Sequence, residues 1–133
     1  MKNPHDIYLI SDSTGETLDR IFLAIKAQFE NFDYQIKQFS FTRTETQIKK
    51  IIENASKKKN SIILYTIVNS KLAKFLNDES KKKRIPCFGV LGELILNFSK
   101  LLNQKASHEP SGQHILNKEY YDRIEAIQFT MNH

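Results

Sequence analysis

Three hydroxyls, a carboxylate and a glycine fill five consecutive positions: Ser11, Asp12, Ser13, Thr14 and Gly15. They follow the apolar run Ile7-Tyr8-Leu9-Ile10 and precede a helical pattern. A turn opening a helix presents unpaired backbone N–H groups and the positive end of the helix dipole, which suit an anion and above all a phosphate. The candidate anion-binding residues are thus Ser11, Ser13, Thr14 and Gly15. The same stretch supports a second reading, because Ser13 and Glu16 have capping-box spacing. Neither the glycine spacing of a dinucleotide site nor a G-x-x-x-x-G-K-[ST] loop is present to decide between them.

A second concentration of reactive groups is Ser107-His108-Glu109-Pro110-Ser111-Gly112-Gln113-His114. His108, Glu109 and His114 fit no common metal-ligand spacing, so no metal site is assigned and the loop's role stays unknown. No nucleophile elbow marks a Ser/His/Asp triad, and no catalytic residue is assigned. Cys87 is the only cysteine. It lies in an apolar run, which predicts a packed thiol rather than a reactive one. A single cysteine also excludes a disulfide framework and a multi-thiolate zinc site.

The elements that must position these groups alternate. Residues 6–11 read as a buried strand. Leu18, Ile21, Phe22, Ile25 and Phe29 then form the stripe of a helix with one buried face. Tyr34, Ile36, Phe39 and Phe41 suggest a second strand. Thr44 with Gln47 predicts a capping box for a helix carrying Ile48, Ile51, Ile52 and Ala55. Residues 61–68 are a continuous β-branched run, expected as a central strand covered on both faces. A third helix buries Leu72, Ala73, Phe75 and Leu76. Residues 85–90 read as a fourth strand, and Leu91, Leu94, Ile95, Phe98, Leu101 and Leu102 as a fourth helical stripe. The order βαβαβαβα predicts one α/β domain over residues 1–133, a parallel sheet of about four strands with helices on both faces, in Rossmann-like βαβ units. Residues 103–116 read as a loop. An extra C-terminal helix follows, with Tyr120, Tyr121, Ile124 and Ile127 apolar.

The net charge is +5, from sixteen Lys and four Arg against fifteen acids. The lysines cluster at Lys57-Lys58-Lys59 and Lys81-Lys82-Lys83-Arg84, where helices end and cations complement the dipole. In a βα unit those ends face away from the ligand edge, so the basic runs and the hydroxyl turn form no common groove. Nucleic acid is therefore not an expected partner. No signal peptide and no membrane-length apolar stretch is read, and the expected location is the cytoplasm.

Three segments resemble one family in order: IYLISDSTGETLDRIFLAIKAQF (7–29), FGVLGELI (88–95) and HEPSGQHILNKEYYDRIEAIQFTMNH (108–133). They resemble the regulatory proteins of pyruvate, phosphate dikinase and phosphoenolpyruvate synthase. The resemblance implies a bifunctional regulator that uses ADP to phosphorylate a threonine of the target enzyme, next to a phosphorylated catalytic histidine. It also implies removal of that phosphate by inorganic phosphate, releasing pyrophosphate. The implied substrates are ADP and inorganic phosphate, and the implied partner is the dikinase or the synthase. The family carries a P-loop-like G-x-S-R-x-[SG]-K-[ST] motif in its C-terminal half. These 133 residues hold no match to it. The expectation is an N-terminal half, as a fragment or from a truncated or split gene, inactive alone. Two other classes stay open, a standalone phosphate- or nucleotide-binding module and a protein-interaction domain. The apolar C-terminal pattern further suggests a homodimer.

Overall fold

The computed structural model describes residues 4–107. Four strands and four helices alternate: β1 (His5–Ser11), α1 (Glu16–Lys26), β2 (Tyr34–Phe39), α2 (Glu45–Ala55), β3 (Ser61–Thr66), α3 (Ser70–Lys82), β4 (Cys87–Gly89) and α4 (Gly92–Leu102). The sheet is wholly parallel, in the order β2-β1-β3-β4. β1 is central, with Ile7 set between Ile36 and Ile62 in register. Side-chain alternation along β1 explains why helices cover both faces. Ile7 and Leu9 pack with Leu64 against Leu18 and Phe22 of α1. Tyr8 and Ile10 point to the other face, where Ile48, Ile51 and Ile52 of α2 and Leu72 and Leu76 of α3 meet Ile63 and Tyr65.

Thr44 caps α2 as its spacing predicts. Its Oγ1 accepts from Gln47 N at 3.1 Å, and Gln47 Oε1 accepts from Thr44 N at 3.0 Å. The lysine runs end helices at the amino edge of the sheet. Lys58 there lies 3.4 Å from the buried carboxylate of Asp6, and Lys37 lies 3.6 Å from it.

Several boundaries differ from the sequence reading. α1 stops at Lys26, so Phe29 leaves the stripe and stands edge-on to Phe32, with centroids 6.1 Å apart. β2 stops at Phe39 because the chain turns at Phe41, whose φ is 53°. β3 ends at Thr66, the last residue paired with β1, so Ile67 and Val68 lie beyond the sheet. β4 is shorter than 85–90: Pro86 has no N–H to donate and serves only as acceptor, to Ile63 N at 2.8 Å. The fourth helix forms over Gly92–Leu102. Its stripe is helical, yet no residue of α4 is buried among the described residues. The proposed loop residues His108, Glu109 and His114 and the predicted C-terminal helix lie outside the described residues.

Cys87 packs beside the core of the α2–α3 face. Burial pushes its thiol up to about 11, with the Ser80 hydroxyl working against the shift. Near pH 8 the folded chain should therefore present about a hundredth of the thiolate of an ordinary cysteine. Labelling by a disulfide reagent should be about 100-fold slower in the folded chain than in denaturant, and equal rates would contradict this packing.

Candidate functional site

Ligands of a parallel α/β sheet sit beyond the carboxyl ends of the strands, where the chain order reverses. Here that point is β1. The chain steps from β1 outward to β2, then crosses back over β1 to β3. The loops after β1 and β3 therefore diverge to opposite faces and leave a crevice between them.

The last residue of β1, Ser11, and the loop after it contain all four candidate anion-binding residues. Ser11 Oγ accepts from Ser13 N at 3.0 Å and lies 3.3 Å from Ser13 Oγ. Gly15 is the N-cap of α1, at φ 92° and ψ 2°, with no side-chain cap. The Ser13–Glu16 capping box is thus not how the helix begins. The left-handed residue at position 15 moves the helix start beyond the reach of Ser13. Gly15 suits that conformation, since a Cβ there would be strained by φ and would stand 3.4 Å from Gln38 Nε2. The opening N–H groups of any α-helix lack intrahelical acceptors; here Glu16 N donates to Thr14 Oγ1 at 3.5 Å, and the N-cap residue itself offers no side chain.

What holds the turn is the loop after β2, residues 40–44. Thr42 N donates to Ser11 O at 2.9 Å and Phe41 N to Ser13 O at 2.9 Å. Arg43 Nε donates to Asp12 O at 2.9 Å, and Ser40 Oγ to Thr14 O at 2.8 Å. Four successive carbonyls of the turn are thereby bound from one side. The Arg43 guanidinium also lies 5.4 Å from the centroid of the Phe41 ring. This places a fixed cation beside the hydroxyl turn.

Asp12 closes the floor of the crevice and is wholly buried. Its N–H donates to Thr66 O at 3.2 Å. Its Oδ2 accepts from Val68 N at 2.8 Å, tying the loop after β1 to the loop after β3. Oδ1 is buried without a hydrogen bond. Burial raises the Asp12 pKa above the ordinary carboxylate value, opposed by the Val68 N–H, its own N–H and the Arg43 charge. His5, the one histidine among the described residues, stands at the opposite end of β1.

Sequence reasoning grouped Ser11, Ser13, Thr14 and Gly15, and all four are adjacent in the structure. It missed Ser40, Thr42 and Arg43, and it placed Phe41 in a strand. The available signal was topological, since a loop after a second parallel strand also lies on the carboxyl edge.

A family model described as kinase/pyrophosphorylase matches residues 7–133. The chain belongs to the kinase/pyrophosphorylase family. A relative from Pelagibacter ubique is 69% identical over all 133 residues, which is 48% of the relative's length. Relatives from Brucella anthropi and Geotalea uraniireducens are 38% and 35% identical, over 96% and 94% of this chain and 46% of their own length. All three carry the name "Putative pyruvate, phosphate dikinase regulatory protein". The chain spans about half the length of these relatives.

The Asp12 carboxyl has a testable signature. A pKa raised by folding means that the native state binds this proton more tightly than the unfolded chain. The contribution favours folding below the unfolded value near 3.8 and is lost as pH rises through the folded pKa. Asp12→Asn retains an oxygen for the Val68 N–H but carries no charge. Its stability, from denaturant midpoints, should fall less than wild type on going from pH 4 to pH 7. A steeper fall in the variant would contradict the assignment.

Proposed function

We propose that this chain is the N-terminal part of a regulator of pyruvate, phosphate dikinase or phosphoenolpyruvate synthase. The full regulator would phosphorylate a threonine of its target from ADP and remove that phosphate with inorganic phosphate. The observation that carries the reading is the family match across residues 7–133, together with the shared name of the relatives.

The geometry supports a specific share of that work. A phosphoryl group needs N–H donors, hydroxyls and a planar cation on a rigid frame. The helix start after Gly15, the hydroxyls of Ser11, Ser13 and Thr14, and Arg43 supply these from two loops already bonded to each other. The proposed role is to hold one phosphoryl group, whether from ADP, inorganic phosphate or a phosphohistidine of the partner. Phosphoryl transfer is mostly positioning and charge neutralisation around the phosphates. These 133 residues hold no P-loop-like motif, so on their own they are proposed to bind the target without transferring phosphate.

The test presents the purified chain to a dikinase whose catalytic histidine is phosphorylated, with ADP present. Calorimetry should show saturable binding, and mass spectrometry should show the target threonine unmodified. Absence of binding to both the phosphorylated and the unphosphorylated dikinase would overturn the docking role. Threonine phosphorylation by catalytic amounts of the chain would overturn its proposed dependence on a further half.

A further inference from the structure

We propose that Phe41 is a stacking platform beside the hydroxyl turn, and that the site takes a phosphorylated ligand bearing a planar ring in preference to a bare phosphate. The inference rests on the phosphoryl-holding role proposed above and adds the part of the ligand beyond the phosphorus.

Phe41 follows β2 and stands in the left-handed region, at φ 53°. That region suits glycine and is costly for a bulky L-residue. The backbone gives a reason for the conformation but none for the residue type. Phe41 N donates to Ser13 O at 2.9 Å, and Phe41 O accepts from Gln47 Nε2 at 3.3 Å. Glycine would make both bonds without the strain. The core does not explain the ring either. Phe41 belongs to neither apolar cluster of the sheet, and 51% of it is exposed. An exposed apolar side chain is ordinary by itself. One fixed in a strained conformation through both of its backbone polar groups is not, and such outliers gather where ligands bind.

The position of the ring points to what it receives. Ser13 belongs to the hydroxyl turn, so the Phe41 backbone is one hydrogen bond from the candidate phosphate ligands. The Arg43 guanidinium lies 5.4 Å from the ring centroid while its Nε donates to Asp12 O. Ring and cation are therefore held together beside the turn, the cation suited to phosphoryl oxygens and the ring to another π-face. Stacking on an aromatic side chain adds affinity for any base, because every base has a π-face. An imidazole carrying a phosphoryl group on nitrogen offers the same two features at shorter reach. The shared chemistry is a phosphoryl group joined to a flat ring, and a nucleotide and a phosphohistidine are its two sources.

The test titrates the 133-residue chain by calorimetry with two matched pairs of probes. Phosphoimidazole is compared with inorganic phosphate, and ADP with pyrophosphate. At least one ring-bearing probe should bind about fivefold or more tightly than its ringless counterpart, and the pair that shows it identifies the source. Phe41→Gly should remove that preference, Phe41→Tyr should keep it, and binding of inorganic phosphate should persist in both. Phe41→Gly should also melt no lower than wild type, because it relieves the left-handed strain. Equal binding of ringless and ring-bearing probes by wild type would overturn the inference and leave the phosphoryl-holding role intact. A Phe41→Gly variant that keeps the preference would overturn it too, as would one that melts well below wild type, which would assign the ring to the fold. A wild type that binds none of the four probes would overturn the role and the inference together.

Discussion

The arrangement depends on the way one loop grips another by its carbonyls. Ser11, Asp12, Ser13 and Thr14 each give their C=O to a donor from residues 40–43. A peptide unit held by its carbonyl has its N–H side directed away from the holder. The grip therefore sets the backbone orientation in which α1 begins. It also accounts for two unusual conformations. Gly15 takes a positive φ to start the helix after the gripped turn, and Phe41 takes one to bring its N–H back to Ser13 O. Thr42, buried between them, shows that the two loops are packed together as well as hydrogen-bonded.

The grip is possible because of the strand order. β1 and β2 are adjacent and parallel, so the loops that follow them emerge side by side at the carboxyl edge. β3 flanks β1 on its other side and contributes the Val68 N–H to Asp12. The crevice thus has three walls from three βα connections. The abundant lysines lie elsewhere. Lys58 follows α2 at the amino edge and faces Asp6, on the far side of the sheet from Arg43. The net positive charge of the chain and the local chemistry of the crevice are separate features, the second joining Arg43 to the buried Asp12.

The strands and the two-faced core were legible because burial imposes simple periodicities. The alternation of Ile7 and Leu9 with Tyr8 and Ile10, and the stripe Ile48, Ile51, Ile52, Ala55, each follow one geometric rule. The α2 cap was legible because Thr44 and Gln47 satisfy each other locally. The Ser13–Glu16 cap has the same spacing and fails. There the turn is held instead by residues 40–43, which lie far along the chain. Arg43 was invisible for the same reason, since its partner is a backbone carbonyl that no spacing rule connects to it. The stripe of α4 was legible as a stripe, and its exposure was not, because periodicity reports that a face seeks cover and not what supplies it. Membership of the kinase/pyrophosphorylase family was legible in the SDSTGET turn and in two further segments.

The proposed function has an anion held at the start of α1, beyond the Asp12 and Ser13 N–H groups that Thr66 O and Ser11 Oγ already take. The most direct measurement is a titration of the ¹⁵N-labelled chain with inorganic phosphate, followed by amide and arginine Nε resonances. The account predicts saturable shifts concentrated at Gly15, Glu16 and Thr17 and at Arg43 Nε. Shifts confined to the lysine runs at 57–59 and 81–84, or no saturable shift at the turn, would contradict it.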